Sequence, residues 1–221
     1  MSGYGLAIHT SSPALGLAMS SSRDDIRSQT WDLGRETSNY LHSHLLDFLS
    51  PQTWQELGWI AVANGPGGFT GTRLGLVTAR TLAEQLELPV FAISSLAAIA
   101  WMEQQTSSLA EPRLGKIAIS MPAQRDEVFG AVYHWHDENL MTICADAVYS
   151  AADWQAKLVD LNPAHHQVIA QSANLSATVV GTIALAQIAY SQGQRPHWST
   201  ALPFYGQHPV IAKSPQSVSA S

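Results

Sequence analysis

Apolar and polar positions alternate along the first third of the chain in short blocks. Gly5 to His9 is an apolar run, Leu15 to Met19 a second and Ile26 to Leu33 a third. Thr10-Ser11-Ser12-Pro13 and Ser22-Arg23-Asp24-Asp25 separate them as polar turns. Connections this short predict an antiparallel meander. Leu41, Leu45, Phe48 and Leu49 then recur on one helical face, which predicts a helix from Ser38 to Leu49. A buried strand (Trp59 to Ala63), a helix (Thr70 to Leu86, with Thr70 as N-cap), a strand (Pro89 to Ile93) and a helix capped by Ser94 and reaching Gln104 follow.

Gln104 to Pro112 is polar, and the pattern restarts beyond it. Strands are expected at Lys116 to Met121, Glu127 to Trp135 and Leu140 to Val148, the last two joined by the turn His136-Asp137-Glu138-Asn139. A helix opening on Ser150-Ala151-Ala152-Asp153 follows, then a short strand from Val168 to Ala170. An apolar helix from Ser176 to Ser191 stops at Gly193. Two copies of β-β-β-α-β-α, the second shorter, indicate an internal duplication with mixed sheets and helices packed on them. The division is placed at residues 1–106, 113–212 and a tail, 213–221, expected to be disordered.

Composition narrows the function. The chain has 221 residues, a formal charge of −6 and only 11 Lys plus Arg, spread singly. A protein that grips nucleic acid unaided needs a basic stripe to displace phosphate counterions. A single cysteine, Cys144, excludes an internal disulfide framework and reads as a small core residue. No apolar run reaches the roughly 18 residues of a membrane helix, and the N-terminus lacks a signal-peptide shape. The expectation is a cytoplasmic protein without membrane contact.

The informative segment runs Gly65-Pro66-Gly67-Gly68-Phe69-Thr70-Gly71-Thr72-Arg73-Leu74-Gly75, between a strand and a helix. Such loops often hold an anion at the helix N-terminus. The glycines at 65, 67 and 71 are spaced one residue too long for a dinucleotide fingerprint, and no Gly-Lys-Ser or Gly-Lys-Thr makes it a P-loop. Phosphate loop and simple tight turn both remain open on spacing. In the following helix Gly71, Gly75, Ala79 and Ala83 form a ridge of small residues beside a bulkier face of Leu74, Val77, Thr78, Thr81 and Leu82. Small residues let a second helix approach closely. That helix is either the chain's own neighbour or, the preferred reading, one from another molecule.

The Gly65–Gly75 segment resembles the GPGSFTGxRxG motif of the TsaB family, also called YeaZ. Leu6-Ala7-Ile8-His9-Thr10-Ser11 is similar to the family's LAIDTS opening. Arg35 and the helix after it resemble its Arg-x-His segment, Gln124 to Phe129 its entry to the second lobe, and Leu202-Pro203-Phe204-Tyr205 its C-terminal Pro-x-Tyr. The resemblance implies an actin-like ATPase (ASKHA) fold of two ribonuclease-H-like lobes. It also implies a non-catalytic role in making N6-threonylcarbamoyladenosine (t6A37) in tRNAs that read codons beginning with A. The implied partners are a TsaD-like transferase, a TsaE-like ATPase and a second copy of the chain, with tRNA met only through the complex. Gly65, Pro66, Gly67, Phe69, Thr70 and Gly71 would shape the loop. Gly71, Gly75 and Ala79 would make the close helix contact with Arg73 at its rim, so that Gly75→Leu would break pairing and leave the monomer folded.

Active members of the actin-like superfamily carry a carboxylate at the end of the first strand to support hydrated Mg²⁺. This chain has His9 there, and the corresponding second-lobe Asp aligns with Pro122. Imidazole suits Mg²⁺ poorly. No cofactor is therefore expected on the chain alone, although ATP or ADP could occupy a site shared with the partner. Two enzyme readings compete. A small-molecule kinase of the superfamily would keep both carboxylates. A metallopeptidase would show two histidines at i and i+4 around a glutamate, whereas His42 and His44 are two apart and His165 and His166 are adjacent in a presumed loop. No Gly-x-Ser-x-Gly elbow marks a serine nucleophile.

Overall fold

The computed structural model describes residues 3–22, 25–106, 115–136, 139–161 and 165–206. The expected disordered tail and the expected boundary after residue 106 lie outside the described residues. Strands β1 (Tyr4–His9), β2 (Ala14–Ser22) and β3 (Asp25–Asp32) form the expected antiparallel meander. β4 (Leu57–Ala63) and β5 (Val90–Ile93) add to it in parallel, giving the order β3-β2-β1-β4-β5. Parallel neighbours need a long crossover. Helices α1 (Thr37–Leu49) and α2 (Phe69–Leu86) supply them.

After α3 (Ser95–Thr106), β6 (Lys116–Pro122), β7 (Glu127–His136), β8 (Asn139–Ser150) and β9 (His165–Ile169) make a second sheet in the order β8-β7-β6-β9. Its single parallel pair, β6 with β9, is bridged by α4 (Ala151–Asp160). The second order repeats the first with one strand fewer. This is the two-lobed ribonuclease-H-like arrangement that the family resemblance implied.

Alternation along each strand sets the layers. Leu6, Ile8, Ile60 and Val62 face Leu41, Leu45 and Leu49 of α1 and Leu76, Ala79 and Ala83 of α2. On the other face of that sheet, Ala7, Trp59, Ala61 and Phe91 meet Val179, Ile183 and Ala186 of α5 (Val179–Ser191). In the second sheet Ile117, Ile119 and Met121 pack on Leu96, Ile99 and Ala100 of α3, while Ala118 and Val132 pack on Trp154 and Leu158 of α4. Each half thus sends one helix across: α3 lies on the second sheet and α5 on the first. They meet between the sheets, where Gly181 admits the Ala98 carbonyl; a Cβ at 181 would stand 2.4 Å from that oxygen.

Local signals explain most boundaries. The Ser94 hydroxyl accepts the N–H groups of Leu96 and Ala97 at 3.0 and 3.2 Å, capping α3. Ser150 accepts the Asp153 N–H at 3.1 Å to open α4. Gly193, at φ +84°, ends α5. Three expectations need correction. The segment expected as one helix from Ser176 is a 3-10 stretch, Ser172–Thr178, followed by α5. Thr70 is not a cap: Gly68 is the N-cap and makes no side-chain bond. His165 and His166 lie in a strand, held in register by Lys116 and Ile117 of β6, a long-range pairing that local polarity does not reveal. Among the described residues, no helix is long and apolar enough to cross a membrane.

Candidate functional site

The glycine loop leaves β4 and runs into α2 across the turn that follows β1. The Gly68 N–H donates to the Ser11 carbonyl at 2.7 Å, and the Thr72 hydroxyl donates to the Ser11 hydroxyl at 3.1 Å. The Thr10 hydroxyl donates to the Gly71 carbonyl at 2.7 Å. On the other side, residues 202–206 cross over the loop as a strap. The Phe204 N–H donates to Asn64 O at 2.8 Å, and Asn64 Nδ2 donates to Leu202 O at 3.3 Å. Gly65, at φ +102°, turns the chain beneath the strap, where a Cβ would meet the Phe204 carbonyl at 2.6 Å. The Gly65–Pro66 peptide is cis, both residues are buried, and Gly67 lies against Ser11. At Gly65 and Gly67 the backbone comes too close to Phe204 and Ser11 for a side chain. Ser95 N–H closes the turn on Gly65 O at 2.8 Å.

The small-residue ridge faces the chain's own sheet. A Cβ at 71 would stand 1.9 Å from the Thr10 carbonyl oxygen, and one at 75 would stand 2.4 Å from Thr10 Oγ1. Ala79 and Ala83 are fully buried in the core under α1 and α2. This corrects the expected role of Gly71, Gly75 and Ala79. The ridge is used up within the monomer, so it offers no close approach to a helix of another molecule.

The opposite face of α2 is the free one. Phe69 is 42% exposed and Val77 61% exposed, with Thr70 and Arg73 exposed beside them. The Arg73 guanidinium lies over the Phe69 ring at 5.3 Å, and that ring stacks on Tyr205 of the strap with centroids 4.6 Å apart. Helix α1, on the same side of the sheet, exposes Tyr40 (50%) and Leu46 (59%). Between the N-terminal ends of the two helices lies a cavity of about 780 Å³ lined by Thr10, Ser11, Arg35, Phe69, Thr70 and Leu74, among others. An Arg and the first turn of α2 give it a positive character, and no carboxylate lines it among the described residues.

At the end of β1, His9 is fully buried. Its Nδ1 accepts the Ser11 N–H at 3.4 Å, and Nε2 has no partner among the described residues. Burial pushes its pKa down to about 3, so the ring is neutral. Pro122, at the end of β6, is exposed. A neutral ring and a proline do not fit a hydrated Mg²⁺. Among the described residues no three His, Cys, Asp or Glu side chains stand together as a metal site. His44 instead stacks on Trp31 with centroids 4.5 Å apart.

Sequence reasoning passed over two features. One is the stacking of Tyr205 on Phe69, for which the aromatic pair in Phe204-Tyr205 was the available signal. The other is a half-buried polar group formed by Ser94, Tyr133 and Asp146, signalled by a lone acid in the apolar run Ala145-Asp146-Ala147-Val148.

A family model described as TsaD, tRNA N6-adenosine threonylcarbamoyltransferase, matches residues 50–208, which include the glycine loop, α2, the second sheet and the strap. The tRNA threonylcarbamoyladenosine biosynthesis protein TsaB of Bacillus subtilis is 32% identical over 67% of this chain. The chain belongs to the family that this model describes. The alignment spans 63% of the length of the B. subtilis TsaB. A tRNA N6-adenosine threonylcarbamoyltransferase of Methylorubrum extorquens is 38% identical over 49% of the chain, and the match spans 30% of that enzyme. The structure of YeaZ from Pseudomonas aeruginosa superimposes with a TM-score of 0.68 at 23% identity, covering 92% of this chain and 99% of that one. The fold is therefore that of YeaZ over nearly its whole length.

Proposed function

We propose that this chain is a non-catalytic subunit of the machinery that makes N6-threonylcarbamoyladenosine in tRNA, and that it docks a TsaD-like transferase through the outward face of α1 and α2. The observation that carries this reading is the presence of four exposed apolar residues, Tyr40, Leu46, Phe69 and Val77, on two helices that share one side of the first sheet. Single exposed apolar residues are ordinary on a protein surface; several on one side, bordered by Arg73, suit a protein partner. The names carried by the relatives, TsaB and the threonylcarbamoyltransferases, supply the pathway. His9 and Pro122, in place of carboxylates, support the lack of independent catalysis.

On this reading a second copy of the chain can use the same face when the transferase is absent. A TsaE-like ATPase joins the assembled pair, and tRNA is met only through the complex in the cytoplasm. ATP or ADP, if it enters, occupies a site shared with the partner, for which the cavity between the N-termini of α1 and α2 has room and the right sign of charge. Leu46→Glu and Val77→Glu test the docking face. Each places a charge in the proposed interface and should weaken binding to the transferase by about tenfold or more, measured by titration calorimetry, while the monomer's melting temperature stays within a few degrees. Unchanged affinity in both variants would reject the face.

A further inference from the structure

A second cavity lies where the two lobes meet. It has a volume of about 440 Å³, inside the roughly 300–1,000 Å³ range of small-molecule sites. The end of β4, the β5–α3 junction and α5 line it from one side, β7 and β8 from the other, and Phe204 of the strap adds to the wall. Most of the wall is apolar, with Ala92, Ile93, Ala97, Leu140 and Leu185. Its polar groups are biased toward accepting hydrogen bonds. The Asp146 carboxylate accepts the Ser94 hydroxyl at 2.5 Å on one oxygen and the Tyr133 hydroxyl at 2.7 Å on the other. Its own backbone N–H supplies a further hydrogen bond, so of the about four acceptor positions of a carboxylate about one remains. Asn64 Oδ1 is buried with no hydrogen-bond partner among the described residues, and the amide is oriented by the bond from Nδ2 to Leu202 O. No Lys, Arg or His is among the described residues lining the cavity. Burial pushes the Asp146 carboxyl above its ordinary value, as expected of an acid without a counter-charge.

We propose that this inter-lobe cavity binds a small ligand carrying a protonated amine or amidinium on an apolar body, with Asp146 and Asn64 as its acceptors. A buried acceptor without a donor is costly to leave unmade, and a carboxylate in an apolar wall gains most from a cation. An anionic ligand would meet the like charge of Asp146 and no Lys, Arg or His among the described lining residues. Ser94 caps α3 while holding Asp146, and Phe204 belongs to the strap over the glycine loop. A ligand here touches both lobes and the strap that crosses the glycine loop.

Benzamidine and butylamine are suitable probes, with benzoate as the anionic control. Titrated into the full-length protein and followed by thermal shift and by NMR, at least one of the two cations should bind saturably and raise the melting temperature, while benzoate should do neither. Asp146→Asn, which keeps the side-chain shape, should weaken that binding by about tenfold or more. Thr142→Trp, at an exposed position lining the cavity, should block it, and it serves alone if the Asn variant does not fold. Failure of both cations to bind, equal binding of benzoate, or binding unaffected by the substitutions would overturn the proposal. The transferase plays no part in this measurement, so its outcome is separate from that of the docking face.

Discussion

At the scale of single residues, Gly75 and His9 carry the sharpest consequences. Gly75 faces Thr10 Oγ1 and Val62, so Gly75→Leu places four carbons where a single one already clashes. Overfilling a packed core typically costs about 1–3 kcal/mol, and the backbone of the turn after β1 gives little room. The expected outcome is a melting temperature lowered by several degrees, measured on the isolated protein. A fully stable monomer would contradict the inward orientation of the ridge. His9 makes stability depend on pH. Its folded pKa, about 3, lies below the ordinary value of 6.5, so only the unfolded chain gains this proton as the pH falls from 6.5. Stability from this group is complete above 6.5 and is lost progressively down to about 3. At about 1.4 kcal/mol per unit, urea unfolding should show a loss on the order of 3 kcal/mol between pH 6.5 and about pH 4 that is absent from His9→Gln. The identities of His9 and Gly75 were plain in the sequence. What each side chain or missing side chain meets was not, because Thr10 lies more than sixty positions from Gly75 and only folding brings them together.

At the scale of elements, periodicity placed α1, α2 and every strand of the first sheet to within a few residues. It did not say which side of α2 faces in. Gly71, Gly75, Ala79 and Ala83 form one stripe and Leu74, Val77 and Leu82 another. Hydrophobicity favours the second for the core. The structure buries the first, because the turn at Thr10 and Ser11 passes directly beneath the start of the helix and leaves no space for side chains there. Val77 is left to solvent as a result. The strap was legible only as a motif, and its contacts give it a task. Tyr205 stacks on Phe69, which in turn carries Arg73. An aromatic pair contributes about 0.5–1.5 kcal/mol beyond its buried area. Tyr205→Ala should therefore free the Phe69 ring and weaken transferase binding several-fold, with little change in melting temperature because both rings lie at the surface. Titration calorimetry beside a thermal melt distinguishes this from a general loss of stability.

At the scale of the whole molecule, the duplication was legible because two meanders with the same turn spacing recur, and the matching sheet orders follow from it. The exchange of α3 and α5 between the halves was not. Chain order places α3 with the first lobe and α5 with the second, yet each buries its apolar residues on the other sheet. Both helices are apolar around much of their circumference, α5 most of all, and a helix of that kind must be covered on more than one side. Lying between two sheets satisfies that demand, and it is what creates the inter-lobe cavity beside Asp146. The outer side of α1 and α2 is then left without a second layer among the described residues.

The most direct measurement is size-exclusion chromatography with light scattering on this protein mixed with the TsaD-like transferase of the same cell. The expected result is a peak at the summed mass of the two chains, lost when Val77→Glu replaces the wild type. Two separate peaks for the wild-type mixture, with nucleotide, a TsaE-like ATPase and tRNA also supplied, would contradict the claim that this chain works by holding that partner.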